Sequence, residues 1–90
     1  MPVEFDPEKN AATIAKHGIA LTEGDGVLDD PLSRTVEDAA AEGEQRWLTI
    51  GANVFGTLLV VVWTPRGKKE RLISVRKPDS RERKDYETEL

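Results

Sequence analysis

Apolar and polar positions alternate over Val3-Glu4-Phe5, the period of a short strand. Asp6-Pro7-Glu8-Lys9 then reads as a helix start. Aspartate is a strong N-cap, proline is favoured at the first helical position, and Glu8 complements the helix dipole. The helix is expected to reach about His17, where Gly18 supplies a left-handed stop. Ala11, Ile14 and Ala15 form its narrow apolar stripe. Thr22-Glu23-Gly24-Asp25 resembles a second start, capped by Thr22. Gly24 and Gly26 weaken it by about 1 kcal/mol each relative to alanine. A short or irregular helix ending at Asp29-Asp30-Pro31 is expected, with Val27, Leu28 and Leu32 under a sheet. Ser33 to Val36 fits a strand.

Residues 37–45 (EDAAAEGEQ) are acidic and nearly free of large apolar groups, which predicts an exposed connection. The pattern then changes. Residues 46–52 (RWLTIGA) alternate, Trp47 and Thr49 to one side, Leu48 and Ile50 to the other. After a turn at 53–56, residues 57–64 (TLLVVVWT) form a continuous apolar run, as in a central strand covered on both faces. Pro65-Arg66-Gly67-Lys68 is a tight turn. In residues 70–76 (ERLISVR), strict alternation puts Leu72 and Ser74 on one face and Arg71, Ile73 and Val75 on the other. Pro78 stops that strand. Asp79-Ser80-Arg81-Glu82 opens a last helix, Asp79 capping and Glu82 at the reciprocal position. Running from Ser80 to about Glu89, this helix has only Tyr86 and Leu90 as large apolar groups, so it is not deeply buried. The short connections among the later strands imply an antiparallel meander, one face covered by the early helices. The fold class is α+β.

Ninety residues make one domain, residues 1–90, with a modest core. There is no cysteine, so disulfide and thiolate chemistry are excluded, in keeping with a reducing cytoplasm. The longest apolar run falls far short of the roughly 20 residues of a membrane span. The opening residues lack the layout of a signal peptide. A cytoplasmic protein is the expectation. The net charge of −4 argues at first against a nucleic-acid partner. Its distribution reverses that: residues 1–45 hold 11 acids and 3 bases, residues 46–90 hold 6 acids and 10 bases. A phosphate-bearing ligand responds to the local field, so it would dock on the C-terminal half.

One histidine and no cysteine at ligand spacing give no metal site, and no glycine-rich phosphate loop is present. The basic set is Arg66, Lys68, Lys69, Arg71, Arg76, Lys77, Arg81, Arg83 and Lys84. Arg71 and Arg76, five residues apart, lie on opposite faces of a strand unless a bulge intervenes. Arg76 at the strand end and Arg81 at the next helix start are expected to converge at one sheet edge. A planar guanidinium donates two hydrogen bonds to a phosphate and stays charged. Cleavage of RNA by its own 2′-hydroxyl needs in-line geometry, charge stabilisation and proton transfer, and arginine can supply the second without a metal. For proton transfer, His17 is suited, since imidazole ordinarily titrates near about 6.5. It is equally suited to complement the end of its helix. Lys9, Lys16 and Tyr86 are further titratable groups. Glu82 either acts, caps its helix or pairs with a nearby base. Thr64 and Ser74 are strand hydroxyls able to orient a phosphate or to serve structure alone.

Several phrases together resemble the BrnT toxin family: Phe5-Asp6 with Lys9, residues 14–19 (IAKHGI), Asp30-Pro31-Leu32, Arg46 with Thr49-Ile50-Gly51, LLVVVWT, and the closing RLISVRKPDSRERKDYE. Their order covers nearly the whole chain. The resemblance implies a RelE-like fold, a twisted antiparallel sheet with N-terminal helices packed on it and a C-terminal helix. It implies a metal-independent endoribonuclease without cofactor that inhibits translation. The implied partner is a BrnA-like ribbon-helix-helix antitoxin, with operator DNA bound only through their complex. Carried over by position, the expected functional residues are Thr64, Arg71, Ser74, Arg76 and Arg81, with Lys9 and His17 behind them. The expected catalytic set is Arg76, Arg71, Arg81, His17 and Lys9, and the expected RNA contacts are Thr64, Ser74, Lys77 and Arg66. The sequence departs from the family's pattern at Gly24 and Gly26 in the second helix, and at Pro78-Asp79 after the Arg76-Lys77 pair. The rival reading is a non-catalytic module, a corepressor partner of a DNA-binding antitoxin.

Overall fold

The computed structural model describes residues 3–5, 7–38 and 45–88. The chain runs as strand β1 (Val3–Phe5), helix α1 (Pro7–His17), two 3-10 turns (Leu21–Gly24 and Val27–Asp29), strands β2 (Arg34–Glu37), β3 (Trp47–Ala52), β4 (Leu58–Arg66) and β5 (Lys69–Arg76), and helix α2 (Ser80–Thr88). The five strands form one sheet in the order β1-β5-β4-β3-β2. The meander β2 to β5 is antiparallel, as the short connections require. β1 is not part of it. It pairs parallel with β5, so the sheet is mixed rather than wholly antiparallel. The reach of α1 and the later segments allows this, because a parallel neighbour needs a long crossover.

One sheet face carries the core. Leu59, Val61, Leu72 and Val75 meet Ile19, Leu21 and Val27 from the segment after α1, with Phe5, Leu28 and Trp63 packed around them. β4 is the central strand that its apolar run predicts, and Trp47 and Thr49 share a face as expected. The two indoles stack with centroids 6.4 Å apart, and Trp63 Nε1 donates to Thr49 Oγ1 at 2.8 Å.

Helix α1 is rotated from its expected orientation. Ala11, Ile14 and Ala15 are exposed, while Thr13 is buried and Asn10 and His17 are half-buried. The inward stripe is polar because it meets polar partners: Asn10 Oδ1 accepts from Leu21 N–H at 2.8 Å, and Thr13 Oγ1 donates to Ser74 Oγ at 3.1 Å. Asp6, the expected cap of α1, lies outside the described residues, as do Leu90 and residues 39–44 of the acidic connection.

The second helix is two 3-10 turns, and the first begins at Leu21, before the expected Thr22 cap. Glu23 Oε2 instead accepts from Ala20 N–H at 3.3 Å. The two glycines have a packing reason. A Cβ on Gly24 would stand 3.0 Å from a Val75 methyl and 3.1 Å from one of Val61. Gly26 has φ +86°, where a side chain is strained, and a Cβ there would stand 2.8 Å from Val54 Cγ1. Val27 is fully buried as expected, but Leu32 remains 46% exposed. The last helix follows its expected start. Asp79 N–H donates to Glu82 Oε1 at 2.9 Å and Glu82 N–H donates to Asp79 Oδ1 at 2.8 Å, a complete capping box.

Candidate active site

The register of β4 and β5 breaks once. Val62 pairs with Ser74 and Trp63 with Leu72, which leaves Ile73 as an extra residue on β5. A bulge of this kind resets which residues share a face. Arg71 lies opposite Thr64, and Arg76 opposite Val60. Positions 60 and 64 of β4 point to the same side, so Arg71 and Arg76 share the face away from the main core. Without the bulge, five-residue spacing would separate them. Ser74, opposite Val62, stands between them on that face.

Both guanidinium groups meet carboxylates. Arg71 Nη2 reaches Glu4 Oε1 at 2.7 Å, the two residues being paired across β5 and β1. Arg76 donates Nη1 to Glu82 Oε1 at 2.7 Å and Nη2 to Glu82 Oε2 at 2.8 Å. This is the two-pronged geometry with which guanidinium grips carboxylate or phosphate. The Arg76 hydrogen bond holds the Glu82 carboxyl below the usual carboxylate range, against its partial burial. Arg71 does the same for Glu4.

β1 pairs only with residues 70–72 of β5. Beyond it, α1 packs along β5, and Thr13 touches Ser74 there. Lys9, Thr13 and His17 are spaced by four and so lie along one side of α1. The line Arg71–Ser74–Arg76 on β5 is thereby joined, through the Thr13–Ser74 contact, to the helix side that carries Lys9 and His17. Lys9 is exposed and His17 half-buried.

Other expected site residues stand apart. The fork of Arg76 is taken by Glu82, the residue after Arg81 on α2, and not by a ligand shared with Arg81. Consecutive helix positions diverge by about 100°. With Glu82 turned to Arg76, Arg81 is aimed elsewhere, and it is exposed. Lys77 is exposed just past β5. Arg66 is exposed beside the Gly67 turn, opposite Lys69. Thr64 is only 5% exposed, and its Oγ1 donates to the Gln45 carbonyl at 2.7 Å, so its hydroxyl ties β4 to the segment before β3. Thr13 and Glu4 escaped sequence reasoning. The i+4 spacing of Thr13 between Lys9 and His17 was the available signal for it. Glu4 carried none, because its partner is set by the unforeseen parallel pairing. Glu82 fulfils two of its three expected roles, cap and ion-pair partner.

Between α2 and the sheet runs a groove of about 160 Å³, lined by Arg34, Val36, Leu48, Ile50, Val60, Glu82 and Asp85. A shallower concavity on the outer side of α2 presents Arg83 and Lys84. Among the described residues, no group of three or more His, Asp or Glu side chains is placed to hold a metal ion. Among them too, no helix is long and apolar enough to cross a membrane.

The family model described as ribonuclease toxin, BrnT, of type II toxin-antitoxin system matches residues 5–82. Among solved structures, the 1.1 Å crystal structure of the Brucella abortus ribonuclease toxin BrnT superposes with a TM-score of 0.67 at 23% identity. The match covers 89% of this chain and 99% of that one. It shows a shared α+β fold. A search of curated proteins finds no match.

Proposed function

The chain belongs to the BrnT family of ribonuclease toxins of type II toxin-antitoxin systems, and from that premise we propose that its active site is the β5 face bearing Arg71, Ser74 and Arg76. The observation that carries this reading is the bulge at Ile73, which gives two arginines and a hydroxyl to one face. The reaction is metal-independent endonucleolytic cleavage that inhibits translation. The 2′-oxygen attacks the adjacent phosphorus, the bond to the 5′-oxygen breaks, and a cyclic phosphate remains. Arg76, assisted by Arg71, neutralises charge gathering on the phosphoryl oxygens. His17 or Lys9 takes the 2′-hydroxyl proton or returns one to the leaving oxygen. Lys77, Arg66 and Arg81 supply exposed positive charge along the RNA, a positioning role independent of base identity. Ser74 orients the phosphate. Thr64, whose hydroxyl is committed to Gln45, supports β4 beneath the site.

The sheet-and-helix order fits a RelE-like architecture. The family membership supports an antitoxin partner, which we take to be a BrnA-like ribbon-helix-helix protein that brings the complex to operator DNA in the cytoplasm. The carboxylates on both arginines favour a second reading, a non-catalytic module that serves only that complex. Purified chain on labelled RNA in EDTA separates the two. Cleavage that disappears in Arg76→Ala, with the melting curve retained, supports the nuclease. Full toxicity and full cleavage in Arg76→Ala would refute the site.

A further inference from the structure

Glu82 holds Arg76 in the pose in which a phosphodiester would be held. A carboxylate and a phosphodiester each offer two oxygens to the guanidinium fork. Glu82 uses both of its oxygens, at 2.7 and 2.8 Å, on the two terminal nitrogens of Arg76. The pair is about 29% and 27% exposed, so solvent screens it only in part. The oxygen that meets Nη1, Glu82 Oε1, also accepts from the Asp79 N–H at 2.9 Å. An RNA phosphate therefore cannot take that fork while Glu82 occupies it.

We infer that Glu82 is an internal competitor for the substrate phosphate, so that the first turn of α2 must yield before Arg76 engages RNA. The inference rests on the assignment of Arg76 to the active site. The geometry of α2 suits this role. Its apolar anchor, Tyr86, sits one turn further on and is tied to Asp30. Arg34 Nη1 reaches the Asp85 carbonyl at 3.2 Å. Both holds lie beyond the first turn, so that turn can lift while the rest of the helix stays docked. Lys77, next to Arg76 in the chain, is exposed and adds positive charge at the end of β5, which favours an incoming polyanion.

The opposite role is that Glu82 positions Arg76 for catalysis, and the two predict effects of opposite sign. The test measures kcat and KM of the full chain on a labelled single-stranded RNA in EDTA, wild type against Glu82→Gln. The amide keeps an oxygen for the Asp79 cap but gives up the charge that competes with phosphate. We expect KM to fall about tenfold, the effect of one charge-assisted hydrogen bond, with kcat held or raised. Glu82→Ala, which also removes the cap, should move KM in the same direction. An unchanged or raised KM, or a fallen kcat, in both variants would overturn the inference, provided Arg76→Ala is inactive. Full activity in Arg76→Ala would instead overturn the site assignment itself.

Discussion

The Tyr86 hydroxyl donates a 2.7 Å hydrogen bond to Asp30 Oδ2, joining residues 56 positions apart. The same oxygen accepts from Ala52 N–H at 2.8 Å, and Oδ1 accepts from Leu32 N–H at 3.0 Å. Asp30 thus ties together the second 3-10 turn, the end of β3 and α2. Because α2 has so little apolar surface, this knot carries much of its docking. Tyr86→Phe should destabilise the fold by about 1–2 kcal/mol. Asp30→Ala should cost more, since it leaves several donors without their acceptor. Urea unfolding followed by circular dichroism measures both, and an effect of Tyr86→Phe within error would show that α2 is held by other means.

Acid should act through the same knot. Burial opposes charge on Asp30, but the Ala52 and Leu32 N–H groups and the Tyr86 hydroxyl outweigh it and hold the carboxyl below its usual range. Arg76 lowers Glu82 and Arg71 lowers Glu4 in the same sense. A carboxyl lowered in the folded state stabilises the fold above its unfolded pKa, and that contribution is lost as pH falls through the folded value. The urea midpoint should stay level with respect to these groups from pH 7 to about 5 and fall below about pH 4. Asp30→Asn should show a shallower fall. At the alkaline end, the hydrogen bond to Asp30 raises Tyr86, so its contribution is present below about pH 10 and lost as pH climbs through the folded value. A variant curve parallel to wild type in acid would remove Asp30 from the account.

β3 was legible from its alternation and β4 from its continuous apolar run. β3 and β4 follow their patterns because each side of the sheet has a distinct environment, and the capping box of α2 was readable from Asp79 and Glu82. Three features were not. The parallel pairing of β1 depends on where a crossover returns, which alternation does not encode. The inward side of α1 is polar because Asn10 and Thr13 satisfy partners 11 and 61 residues away. The bulge at Ile73 leaves no mark in residues 70–76, yet it decides that Arg71 and Arg76 share a face. The basic composition of the C-terminal half was visible from the start. Which of its arginines come together was set by that single extra residue.

Gly26 carries a sharper prediction than its neighbour Gly24. At φ +86° an alanine is strained, and its Cβ would meet the Val54 backbone nitrogen at 3.0 Å. Backbone atoms do not step aside as a side-chain methyl can. Gly26→Ala should lose about 1–3 kcal/mol, while Gly24→Ala meets only methyl groups and should lose less. Thermal melts of the two variants check the order. A Gly26→Ala protein as stable as wild type would mean that the turn before Val27 rearranges freely.

The arginines can be ranked by the geometry each offers. Arg76 has both terminal nitrogens on one two-oxygen ligand, whereas Arg81 is exposed on the second position of α2. If the fork at Arg76 is what grips the scissile phosphate, its charge alone is not enough. Lysine keeps the charge but loses the planar pair of donors. Arg76→Lys should therefore cut RNA at least tenfold more slowly. Arg81→Ala, which removes a solvent-screened charge, should stay within about threefold of wild type. Initial cleavage rates at fixed ionic strength read both, because phosphate contacts of either kind weaken with salt. Should the order reverse, with Arg81→Ala the slower enzyme, the phosphate would be held from α2, and the β5 face would be a structural ion-pair network.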